Sequence, residues 1–103
     1  MDILTSGIII SNILPGTDAI YALPNRTVNL SLALKATGAL DSVELLTSIS
    51  NDLVDWVDIS SLTSSGLDEV KNISSSFIRF RLTIFPIGIY HVDVSVLAKI
   101  ASK

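Results

Sequence analysis

Cysteine is absent from the 103 residues, which excludes disulfide bracing, thiolate nucleophiles and cysteine-ligated metals. Charge is scarce too. Asp, Glu, Lys and Arg make up 17% of the chain, against about a quarter in an ordinary soluble domain. The basic residues are scattered and the net charge is −3, so there is no electrostatic footprint for nucleic acid. No apolar run approaches the roughly 18–20 residues of a membrane helix. The longest, Gly7–Ile10 and Phe85–Ile89, are strand-sized and bounded or broken by Asn12, Pro86 and Gly88, so no membrane partner is expected. The start, MDILTSGIII, lacks the basic residues and long apolar region of a signal peptide. No stretch shows ten or more residues of capped helical periodicity.

Apolar character is abundant: 49% of the residues are hydrophobic and the mean hydropathy is +0.59. A chain of this length folds as one domain, residues 1–103, with a single core. A small β domain cannot bury all of its Leu, Ile and Val, and large exposed apolar patches mark contacts with partners. A homo-oligomer or a subunit of a larger assembly is therefore expected.

The apolar residues alternate, as strands require. Gly7–Ile13 is a β-branched first strand, ended by Pro15-Gly16, and Asp18–Leu23 a second, closed by Pro24-Asn25. Thr27–Lys35 alternates strictly, with Val28, Leu30, Leu32 and Leu34 on one face, the pattern of a half-buried antiparallel strand. After Gly38, Ser42–Ser50 turns Val43, Leu45, Thr47 and Ile49 inward and leaves Leu46 beside Glu44 and Ser48. A Ser-Asn-Asp turn follows, and the return strand carries Val54, Trp56 and Ile59. Ser60–Ser76 reads as a serine-rich loop with a short strand near Leu67–Ile73, or at most a single helical turn. Phe77–Ile84 points Ile78, Phe80, Leu82 and Ile84 inward and Arg79 and Arg81 outward. The last strand, Ile89–Lys99, has Tyr90, Val92, Val94 and Val96 inward and His91, Asp93 and Ser95 outward, so that Arg79 or Arg81 can pair with Asp93 across strands. Seven or eight short strands in about 100 residues predict an all-β fold, a single antiparallel β-sandwich of immunoglobulin-like or jelly-roll-like form.

Sites for chemistry are sparse. Asp52, Asp55 and Asp58 invite a calcium loop, but their spacing straddles apolar residues and includes neither the sharp-turn glycine nor a terminal glutamate. Solvated strand-edge carboxylates are the better reading. His91 is the only histidine; with no cysteine or identifiable cleft, it reads as structural or exposed. No G-x-S-x-G nucleophile signature occurs. Asn25, Asn29 and Asn72 lie in N-x-S/T sequons that chance explains in a chain so rich in Ser and Asn. Trp56 reads as core, with a sugar-stacking platform as the alternative. No cofactor and no catalytic or metal residue is expected.

Leu23–Leu34, the Ser48–Ile59 hairpin with its S-x-D-x-x-x-W spacing, the strand FIRFRLT at Phe77–Thr83 and the alternation of Ile89–Ala98 together resemble small virion proteins of tailed bacteriophages. The resemblance implies a non-enzymatic β-sandwich on the particle, a capsid decoration (cement) protein or a tail, baseplate or fibre component. It would be made in the bacterial host cytoplasm and reside in the virion, with the major capsid protein or other virion proteins as partners and a trimer among its oligomeric options. The hairpin also looks like that of discoidin-type sandwiches, although Leu53 stands where a glycine usually follows the Asp. Two sets of residues follow as candidates: an interface of Ile8, Ile9, Ile10, Leu46, Arg79 and Arg81, and a ligand loop of Asp52, Asp55, Trp56 and Asp58.

Overall fold

The computed structural model describes residues 3, 9–11, 18–37, 42–63, 66–85 and 93–102. Eight strands run in order: β1 (Ile9–Ser11), β2 (Asp18–Ala22), β3 (Val28–Thr37), β4 (Ser42–Ser50), β5 (Val57–Thr63), β6 (Gly66–Ile73), β7 (Phe77–Phe85) and β8 (Asp93–Ser102). They form two four-stranded sheets, β1-β8-β3-β6 and β2-β7-β4-β5. Every ladder between named strands is antiparallel. The pairs β4 with β5, β3 with β6, β2 with β7 and β1 with β8 nest inside one another, so the chain is one long hairpin rolled into two layers. That is the winding of a jelly roll, and it decides between the two expected sandwich forms.

The alternation dictates the core. Val28, Leu30, Leu32 and Leu34 of β3 and Val96, Ala98 and Ile100 of β8 meet Val43 and Leu45 of β4 and Ile78, Phe80 and Leu82 of β7. Each large side chain so buried is worth about 1.5–3 kcal/mol. Phe80 takes the edge of Tyr21 at 6.2 Å between ring centroids, a favourable T-shaped contact. Along one open side of the sandwich, the Ser60 hydroxyl of β5 donates to Asp68 of β6 and ties the two sheets together.

Three expectations are corrected. The serine-rich segment carries the expected short strand as β6 (Gly66–Ile73), but Ser60–Thr63 are not loop: they complete β5. A bulge between Thr47 and Ser48 lets Ile59 join the core while Ser60 remains paired. Val54 and Trp56 do not lie on the return strand, which begins at Val57. Finally, Arg79 and Arg81 lie on β7 and Asp93 on β8, in different sheets, so no cross-strand pairing with Asp93 is possible. Ile8, Gly38, Tyr90, His91 and Val92 lie outside the described residues, as do the side chains of Ile9, Ile10, Ile84 and Val94.

Candidate functional site

Residues from both candidate sets converge on the outer face of the β2-β7-β4-β5 sheet. Register places Ile20, Arg79, Ser48 and Asp58 in one row across the four strands, and Asp18, Arg81, Leu46 and Ser61 in the next. Their order follows from period-two alternation: when Phe80 and Leu45 point inward, Arg79, Arg81 and Leu46 must point outward.

In the first row, Ser48 is 1% exposed although it faces away from the core. Its Oγ donates to Asp58 Oδ1 at 2.7 Å. Arg79 places its guanidinium carbon 4.5 Å from the centroid of the Trp56 ring, within cation–π range. Its Nε is buried and finds no acceptor among the described residues. Trp56 is therefore half-buried, and what covers it is an arginine of the outer face rather than the hydrophobic core.

In the second row, Arg81 grips Asp18 with two parallel bonds, Nε to Oδ1 at 2.7 Å and Nη2 to Oδ2 at 3.0 Å. The bond from Arg81, reinforced by its charge and that of Arg79, holds the Asp18 carboxyl below its ordinary value of 3.8 despite the opposing effect of burial. The same pairing raises the Arg81 pKa. Leu46 lies half-buried between Arg81 and Ser61, and Ser61 Oγ donates to Glu44 at 3.4 Å.

The β4–β5 connection closes one end of this face. Ser50 Oγ accepts the N–H groups of Asp52 and Leu53, at 3.2 and 3.0 Å. Asp52 Oδ1 accepts those of Val54 and Asp55, both at 2.9 Å, and the Ser50 hydroxyl at 2.9 Å. Such side-chain bonds to neighbouring backbone are how Ser and Asp build turns. The Asp55 and Val54 amides, then the Ser50 hydroxyl, hold the Asp52 carboxyl below its ordinary value. Leu53 adopts φ +65°, the left-handed conformation that a glycine accepts without steric cost. Asn51 Oδ1 accepts the Ser76 N–H at 3.1 Å, bracing the loop against the β6–β7 turn. The braced loop and the start of β5 expose apolar side chains: Val54 is 76% and Val57 62% exposed, and Leu53 is exposed as well.

The carboxylates Asp52, Asp55 and Asp58 do not converge. Asp52 caps its own loop, Asp58 binds Ser48 and Asp55 is exposed. Among the described residues no three His, Asp or Glu side chains are grouped to hold a metal. Nearby, an open depression of about 390 Å³ is lined by Asn25, Arg26, Asn51, Ser74, Ser75 and Ser76, among others. Sequence reasoning missed this depression, and also Asp18 and Ser48; the surplus of Asn and Ser in the loops was its one signal. From the interface set, Leu46, Arg79 and Arg81 come together, whereas Ile9 and Ile10 lie on β1 in the opposite sheet.

Comparison with protein-family models, with curated proteins and with solved structures returns no match.

Proposed function

We propose that this chain is a non-enzymatic structural protein of a tailed-bacteriophage virion, an accessory subunit that decorates the outer capsid surface and stabilises the head. It docks through the outer face around Leu46 and the adjoining β4–β5 loop. The observation that carries the reading is the state of that loop: a left-handed Leu53 and an exposed Val54 held in place by four backbone-to-side-chain hydrogen bonds, with an exposed Val57 opening β5 beside them. A chain under no demand for contact gains nothing by holding apolar side chains in water on a strained turn. Around them the polar groups are already engaged with one another, Arg81 with Asp18, Ser48 with Asp58 and Arg79 with Trp56. That favours rigid presentation of a surface over acid–base chemistry.

Burying the exposed loop side chains on a shell supplies about 1.5–3 kcal/mol each, offset in part by the cost of association. Repetition of the same contact over a symmetric particle adds avidity if the subunit is multivalent. The same surface would serve on a tail, baseplate or fibre. The test is to mix the purified protein with particles that lack it and sediment them. Saturable co-pelleting supports the reading, and recovery of all the protein in the supernatant contradicts it.

A second reading, a glycan-binding sandwich, draws on the polar depression beside Asn25, Arg26 and Asn51. A sugar stacked on Trp56 is disfavoured because Arg79 lies over the ring. A glycan-array screen separates the two: selective binding, abolished by Asn51→Ala, favours the sugar.

A further inference from the structure

The opposite face of the sandwich carries a pattern that the docking surface leaves unused. On β3 the residues alternating with the core leucines include Ser31, Ala33 and Lys35. Ser31 lies opposite Lys99 of β8 and Glu69 of β6, and Ala33 opposite Leu97 of β8 and Leu67 of β6. The outer face therefore presents two rows, Lys99–Ser31–Glu69 and Leu97–Ala33–Leu67. Leu67 is 82% exposed, the most exposed large apolar side chain among the described residues. Lys99, Ser31 and Glu69 are exposed too.

Strand β3 lies between β8 and β6, so Lys99 and Glu69 stand two strand spacings apart, about 10 Å. Neither joins an ion pair among the described residues. Among the described residues the charges are unpaired, but they are arranged to pair between chains. A two-fold axis lying in the contact plane, parallel to β3, exchanges the β8 side with the β6 side and leaves the level along the strand unchanged. Lys99 then faces the partner's Glu69, and Leu97 faces the partner's Leu67. Ser31 and Ala33, both small, meet their own counterparts on the axis, where two sheets can approach to about 10 Å. An axis across the strands along the Ser31 row would instead set Lys99 against Lys99 and Glu69 against Glu69, opposing like charges. Lys35 meets its counterpart in the favoured arrangement as well, but it is exposed and its flexible stem lets the ammonium swing into solvent.

We propose that the chain forms an isologous two-fold homodimer through the outer face of β8, β3 and β6, with a second copy of itself as the occupant. The dimer does not depend on the virion reading. It leaves the Leu46 face and the β4–β5 loop free on both outer sides, so each dimer offers two docking surfaces.

The test is sedimentation equilibrium on the full chain over a broad concentration series, with charge-swap variants. The expected result is a concentration-dependent doubling of the 11.0 kDa mass. Glu69→Lys alone and Lys99→Glu alone should each weaken the dimer at least about tenfold by opposing like charges, and the double swap should restore it. Leu67→Asp should leave a monomer whose circular dichroism is unchanged, since the side chain is exposed. A monomer at every concentration, a trimer, a dimer indifferent to Leu67→Asp, or a double swap that fails to rescue would each overturn the proposal.

Discussion

Arg79 sits over Trp56, its guanidinium carbon 4.5 Å from the ring centroid, and this contact joins the outer face of β7 to the β4–β5 loop. The arginine is on β7, the strand paired with β4 of the loop's own hairpin, so the contact locks a connection to the sheet beneath it. Arg79→Ala should cost about 0.5–1 kcal/mol of stability, read as a lower urea midpoint. It should also shift the Trp56 emission to the red and raise its quenching by acrylamide. An unchanged spectrum would mean that the two side chains are not in contact in solution.

Thr47 illustrates the opposite situation, a polar group with no partner among the described residues. Its side chain is fully buried, and Oγ1 has no hydrogen bond among the described residues. Valine has nearly the same shape without the hydroxyl. Removing an unsatisfied buried hydroxyl should therefore stabilise the fold, and Thr47→Val is expected to gain about 1 kcal/mol. A loss of stability by chemical denaturation would mean that the hydroxyl does find a partner.

The Arg81–Asp18 pair makes stability depend on pH in a defined direction. The folded carboxyl of Asp18 lies below its ordinary value of 3.8 because Arg81 donates to it. The folded state therefore binds the proton more weakly than the unfolded chain. The contribution is complete above the ordinary value and disappears as pH falls through the depressed one. With side chains 43% and 30% exposed, solvent screening limits the pair to about 1 kcal/mol or less. Asp18→Asn should flatten the acid limb of the stability curve below about pH 4 and leave a small uniform loss at neutral pH. Asp52, depressed by the Asp55 and Val54 amides, acts in the same window, so the limb should not vanish entirely.

Leu53 separates stability from function. At φ +65° glycine removes a steric penalty of about 1–2 kcal/mol but costs roughly 0.5–1 kcal/mol of backbone entropy. Leu53→Gly should therefore be neutral to stabilising by up to about 1 kcal/mol. Leu53→Val, β-branched, should be destabilising. If the leucine is kept for contact, Leu53→Gly should weaken particle binding while the urea midpoint stays level or rises.

The strands were legible because period-two alternation is a local signal: Val28 to Leu34, Val43 to Ile49 and Ile78 to Leu82 all face the core they were expected to face. The loop was misread because its Val-Asp-Trp-Val run has strand-like composition. Ser50 and Asp52 satisfy the backbone donors of Asp52 to Asp55 before a ladder can, and so delay β5 until Val57. The pairings of Arg79 with Trp56 and Arg81 with Asp18 were illegible because they depend on which strands share a sheet. Strands β7 and β8 follow one another in the chain yet lie in different layers. Nothing local to either strand encodes that separation; it follows from the rolling of the whole hairpin. Ser48 was hidden for the same reason, since a serine on an outer face becomes buried only when Asp58, Arg79 and the loop close over its row.

The most direct measurement is occupancy on particles lacking this protein, compared for the wild-type chain, Leu46→Asp and Leu67→Asp after each variant is shown to be folded. The account predicts saturable binding of the wild type and loss of at least about tenfold in affinity for Leu46→Asp, because a desolvated carboxylate at a contact is costly. Leu67→Asp, on the opposite face, should still bind with unchanged affinity, because the two docking faces of a dimer point in opposite directions and cannot both engage one particle. Equal occupancy for the wild type and Leu46→Asp would contradict the assignment of the docking face, and absence of wild-type binding would contradict the virion reading itself.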